Sequence, residues 1–163
     1  MTTKLTFLFI LLLVSANILN AQPNTLKFDM KYQVQKNDFA IVNDSLHHRM
    51  GLATGSGNAL LLDGSNASVK VYFIYDYTGG NGNFAEYDVL MFQDSSTITL
   101  QSLGQSIGSV KGKDPLFSAV VTVTGGTGVY DGVTGDGSMS GNRNEALKDG
   151  VVVKLSFTVN LKK

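Results

Sequence analysis

Four acidic residues gather in the middle of the chain: Asp76, Glu86, Asp88 and Asp94. Two carboxyl groups at one site can divide acid and base roles between them. Here the acids sit in or beside turn-rich segments, so they read as solvated rim or turn residues rather than as an acid pair. His47 and His48 are adjacent. Neighbours on a strand point to opposite faces, so a shared metal is not expected. With no cysteine and no third histidine, a zinc ligand set cannot be assembled from histidine and thiolate. The absence of cysteine also removes any thiol nucleophile. Gly125-Gly126-Thr127-Gly128 is not a phosphate loop, because no Lys-Ser/Thr follows and the next segment reads as a strand. Residues 125–131 come close to a calcium β-roll repeat, but the aspartate is one position late and the pattern occurs once, whereas such rolls need several repeats. What remains is aromatic chemistry. The tyrosine hydroxyl both donates and accepts, and Tyr32, Tyr72 and Tyr130 are the candidate ligand-binding residues, Tyr32 first. The other aromatic side chains are core by default.

The elements that must position these residues are strands. Leu26, Phe28, Met30, Tyr32 and Val34 alternate with Lys27, Asp29, Lys31, Gln33 and Gln35. At the other end, Val151, Val153, Leu155, Phe157, Val159 and Leu161 alternate with Val152, Lys154, Ser156, Thr158 and Asn160. A period of two over this length marks a strand with one buried face. Between them, Met50–Leu62, Val69–Tyr77, Phe84–Gln93, Ser96–Leu103, Leu116–Val123 and Val133–Ser140 read as strands too, separated by glycine-, asparagine- and aspartate-rich turns. The stretch Asn142–Leu147 reads as able to carry a helical turn. About eight short strands with one apolar face suit a closed antiparallel barrel, because closure removes exposed edges. A two-sheet sandwich is the alternative. Eight strands enclose a space filled by side chains or by one small ligand.

Composition sets further limits. Thirteen basic residues balance thirteen acidic ones, so no electrostatic footprint for nucleic acid or an anionic membrane is present. Lys4 precedes an apolar run from Leu5 to Val14 and a small residue at Ala21. That order reads as a signal peptide, and the run is too short to span a bilayer, which takes roughly 20 apolar residues. The expected organisation is therefore a signal peptide over 1–21 and one barrel domain over 22–163, a secreted or periplasmic chain without a membrane span. Asn43-Asp44-Ser45 and Asn66-Ala67-Ser68 are glycosylation sequons if the source is a eukaryote.

One stretch is more specific. The run from Val121 to Gly135, VTVTGGTGVYDGVTG, takes an apolar strand into a GGTG turn, then an aromatic, then a strand ending in glycine. It resembles the signature shared by allene oxide cyclases and dirigent proteins. Met50-Gly-Leu-Ala-Thr-Gly55 is similar to a dirigent strand block, and Ser95–Gly104 is similar to the dirigent GSTLxIxG segment, all in the same order. The signal peptide is closer to dirigent proteins than to the plastid-targeted cyclases. The resemblance implies an eight-stranded barrel, a homotrimer, no cofactor, and an apolar lumen. That lumen binds a small hydrophobic molecule and steers its cyclisation or coupling, since a shaped cavity selects one reactive conformer. It also points to Tyr32, on the strand that carries site residues in both families, and to Tyr130, in the aromatic position after the turn. The families' charged residues do not carry over: Gln33 and Gln35 stand where cyclases have Glu and Asn, Asp29 lies on the polar face, and Asp131 replaces a dirigent Arg. No catalytic set is identified. The alternative is a non-catalytic secreted barrel with a filled lumen, serving structure or surface interaction.

Overall fold

In a computed structural model, which describes residues 25–108 and 114–163, the chain forms eight antiparallel strands. These are β1 (Thr25–Ile41), β2 (His48–Leu61), β3 (Asn66–Thr78), β4 (Asn81–Met91), β5 (Thr97–Ile107), β6 (Leu116–Thr127), β7 (Thr134–Arg143) and β8 (Val152–Lys162). Each pairs with its neighbours in sequence, and β1 pairs with β8, so the sheet closes on itself as an up-and-down barrel. The sandwich is set aside by that closure. The expected signal peptide lies outside the described residues. No helix among the described residues is long and apolar enough to cross a membrane.

The alternation in the sequence becomes the inside and outside of the barrel. Val153, Leu155, Phe157 and Val159 are all inside, none more than 3% exposed. Across the β1–β8 seam, Phe28 pairs with Phe157 and their rings stack at 4.6 Å. A one-residue slip of β8 would turn this whole face to solvent, which fixes the register.

Three segments differ from expectation. β1 runs on past Val34 to Ile41, carried by a register shift between Val34 and Lys36. The strand β6 continues through Gly125-Gly126-Thr127, which the sequence suggests as a turn. The reversal comes later, in a single 3-10 turn at Gly128–Tyr130. Of that GGTG run only Gly128 takes a positive φ, 62°, where a side chain is strained. No helical turn forms over 142–147. β7 carries on through Arg143, and the Arg143 Nε then donates to the Glu145 carbonyl at 2.9 Å.

Candidate functional site: the acidic end of the lumen

The interior positions of β4 are Phe84, Glu86, Asp88 and Leu90, all buried. The expectation that Glu86 and Asp88 are solvated rim residues is therefore corrected. Glu86 is 4% exposed and Asp88 fully buried. Their parity with Phe84 and Leu90 places them inward, since i and i+2 share a strand face. The other two acids lie outside as expected: Asp94 accepts from the backbone and hydroxyl of Ser96 in a turn, and Asp76 is exposed.

Neighbouring strands complete the cluster. Glu86 is in register with Phe73 on β3 and Ser102 on β5. Tyr32 reaches it from β1, its hydroxyl donating to Glu86 Oε2 at 3.2 Å. Room for the Tyr32 ring comes from Gly55 on β2, and Gly57 lets β2 approach the Lys31–Tyr32 backbone closely. A Cβ on Gly55 would stand 2.6 Å from the ring, and one on Gly57 would stand 2.0 Å from the Lys31 carbonyl. The spacing Gly-x-Gly thus shapes the wall of the site.

Above Glu86, toward the end of the barrel that holds the β3–β4 and β7–β8 connections, the wall is aromatic. Phe84 and Phe117 meet edge to face at 6.0 Å. The Arg143 guanidinium lies over the rings of Phe117 at 5.3 Å and Tyr77 at 5.9 Å. Tyr32, Glu86, Tyr77, Phe84, Phe117 and Arg143 all line one small cavity, whose volume is about 10 Å³. That is room for about one water molecule. Asp88 lies deeper and does not line it.

The electrostatics follow from burial. Glu86 is pushed up to about 7 by desolvation, and hydrogen bonds from Asp88 and Tyr32 keep it from rising further. Asp88 is raised well above the carboxylate range by burial and then by the charge of Glu86. None of the ion pairs among the described residues involves either acid. Counted as bare carboxylates, Glu86 Oε1 and both oxygens of Asp88 have no hydrogen-bond partner, and Ser102 Oγ is likewise unpartnered. Two acceptor-only groups cannot bond each other. A proton on Asp88 turns their contact into an O–H···O bond, which is the arrangement that the shifts of both residues reflect. Of the two, Asp88 is the one that keeps its proton more firmly, and Glu86 is the one that titrates near neutral pH. Burial raises Tyr32 well above its usual value, and lowers Arg143 from its own.

Of the three tyrosines singled out from the sequence, Tyr32 alone lies in this cluster, 3% exposed. Tyr72 faces outward on β3, 45% exposed and in register with Tyr87. Tyr130 is half-buried at the far end of the barrel, stacked on Phe92 at 4.9 Å. The residues at the family site positions point away from the lumen. Gln33 and Gln35 donate outside to the Gly150 carbonyl and the Ser56 hydroxyl, and Asp29 accepts from the Ser156 hydroxyl. His48 bridges Asp44 and Asp76 at 2.6 and 2.5 Å on the surface, a clasp between the β1–β2 connection and β3. Glu86 and Asp88 are candidates the sequence reading weighs as an acid pair and sets aside as rim residues, and Arg143 is the one it misses.

No protein-family model matches the chain, and a search of curated proteins finds no match.

Proposed function

We propose that the chain is a secreted or periplasmic barrel of the dirigent and allene oxide cyclase type, whose lumen holds a small apolar molecule and steers its cyclisation or coupling without a cofactor. The observation that carries this reading is the buried carboxyl pair Glu86–Asp88, with no ion-pair partner among the described residues, at an aromatic-walled end of the lumen. Unpartnered buried charge costs a fold several kcal/mol, and groups so perturbed concentrate where function requires them. The aromatic walls would hold the apolar body of a ligand, and Tyr32, Glu86 and Arg143 would orient its polar end. With about 10 Å³ free, admission of a ligand requires the Phe84 and Phe117 rings to turn aside. The test is titration of the secreted protein with an environment-sensitive apolar fluorophore. Saturable binding is expected, tighter in Phe117→Ala, where the mouth is widened, and changed in Glu86→Gln. Absence of saturable binding in both the wild type and Phe117→Ala would refute the reading.

A second reading, the filled non-catalytic barrel, is favoured by that same small volume, by the packing of Tyr32, and by the outer surface. Leu52, Ile74, Ala85, Leu103 and Val120 stand side by side across β2–β6. The next row, Thr54, Tyr72, Tyr87, Gln101 and Thr122, is also uncharged. An exposed apolar band of this kind marks an interaction surface, and it is where copies of a homotrimer would meet. Light scattering on wild type and Leu103→Lys checks it: a monomer in both leaves the band without that role.

A further inference from the structure

The aromatic walls account for binding but not for two carboxyl groups side by side on one strand. A barrel needing only a packed lumen would do better with apolar residues at both positions. Tyr32 donates to Glu86 Oε2, no side chain among the described residues other than the neighbouring acid is placed to bond Oε1, and the residue lines the cavity. Asp88 backs it from beneath, two residues along the same strand and outside the cavity wall. An acid pair with split protonation, in a pocket walled by Phe73, Phe84, Phe117, Met139, Val153 and Leu155, is equipped for one type of chemistry without any co-reactant. It can move a proton in a pocket with room for only about one water molecule.

Resting on the reading of the lumen as a ligand site, we infer that Glu86 is a catalytic base that shifts a proton between two carbons of a neutral, enolisable carbonyl compound, with Asp88 as its positioning residue. The Glu86 carboxylate takes a proton from the carbon next to the carbonyl through Oε1. The C–H electron pair moves into the new carbon–carbon double bond, and the carbonyl oxygen takes the negative charge. As Glu86 becomes neutral it loses its hold on the Tyr32 hydroxyl, which is then free to donate to that oxygen. The substrate already carries a carbon–carbon double bond one position further along (it is β,γ-unsaturated). The oxygen's electron pair re-forms the carbonyl, and the original double bond's pair takes the same proton from Glu86 at the carbon two positions further on. The double bond has then moved into conjugation. Atoms and electrons balance, and each residue ends as it began. The proton on Asp88 stays in place and keeps Glu86 ionisable in an apolar site. The titratable and charged groups facing Glu86 are Tyr32 from β1, Tyr77 from β3, Asp88 from β4 and Arg143 from β7.

The probe is 3-cyclohexen-1-one, whose conversion to the conjugated enone is read by ultraviolet absorbance. Binding is measured separately by saturation-transfer NMR. The wild type is expected to bind it and speed the conversion, with a rate that climbs through pH 7 as Glu86 ionises. Glu86→Gln should bind and lose at least a hundredfold in rate. Asp88→Ala removes the bond that lowers Glu86, so its pH profile should move to higher pH. Binding without conversion, or equal conversion by Glu86→Gln, overturns the proton-transfer role and leaves ligand binding standing. No binding by wild type or Phe117→Ala overturns the lumen reading and this inference with it. If Glu86→Gln does not fold, the wild type acting on the probe deuterated at the α-carbon decides: label carried to the carbon two positions further on supports the transfer, and label lost wholly to solvent overturns it. A rate flat between pH 5 and 8 overturns the inference.

Discussion

Glu86 should make this barrel less stable as pH rises, the reverse of the behaviour of an ion-paired carboxylate. Its value in the folded chain is about 7 against an ordinary 4.5. Between those pH values the folded protein keeps a proton that the unfolded chain has released. Stability is then lost as pH increases, because the folded state binds more protons. At about 1.4 kcal/mol for each tenfold in proton activity, the share of Glu86 is about 3 kcal/mol, fully present as a penalty above about pH 8 and absent below about pH 4. Asp88, also raised, acts in the same direction. So does His48, raised by its bonds to Asp44 and then Asp76, whose contribution is present below its ordinary value and fades as pH rises. The assay is urea denaturation of wild type and Glu86→Gln at intervals from pH 4 to 9. The two proteins share His48 and Asp88, so the difference between their curves isolates Glu86 and its coupling to Asp88. That difference should swing by about 3 kcal/mol in favour of Glu86→Gln as pH goes from 4 to 8. A difference that stays constant across the range would refute the assignment of Glu86 as a desolvated, titrating group.

Phe157→Ala removes a ring stacked on Phe28 at the barrel seam and should cost about 3–5 kcal/mol in the same denaturation assay. Gly57→Ala sets a methyl against the Lys31 carbonyl and the Tyr32 backbone. About 1–3 kcal/mol should be lost, and the tyrosine fluorescence should change as Tyr32 is displaced. Tyr32→Phe leaves Glu86 Oε2 without its donor, so it should destabilise by about 1–3 kcal/mol, more at pH 8 than at pH 5, where Glu86 is neutral. Mass spectrometry of exported protein should find a chain beginning near Gln22 rather than at Met1.

The alternation of β1 and β8 determined by itself which residues are inside, because a strand's two faces are set by residue parity and one face here is wholly apolar. The turn-rich separators set the number of strands, and about eight short strands with one apolar face argued for closure, which removes exposed edges. Where both faces of a strand carry large apolar residues, parity alone was not enough. On β3, Val71, Phe73 and Tyr75 alternate with Tyr72 and Ile74, and only pairing with both neighbours put Tyr72 outside. On β4 the polar character of Glu86 and Asp88 suggested solvent, although Phe84 and Leu90 share their parity and marked the inward face. Polarity is a property of the residue, whereas burial depends on the partners brought across the lumen. Tyr32, from a strand more than fifty residues away in sequence, supplies the hydroxyl on Glu86, and Arg143 caps the same cavity from β7. Both carboxyl groups are raised because closure of the barrel removes them from water.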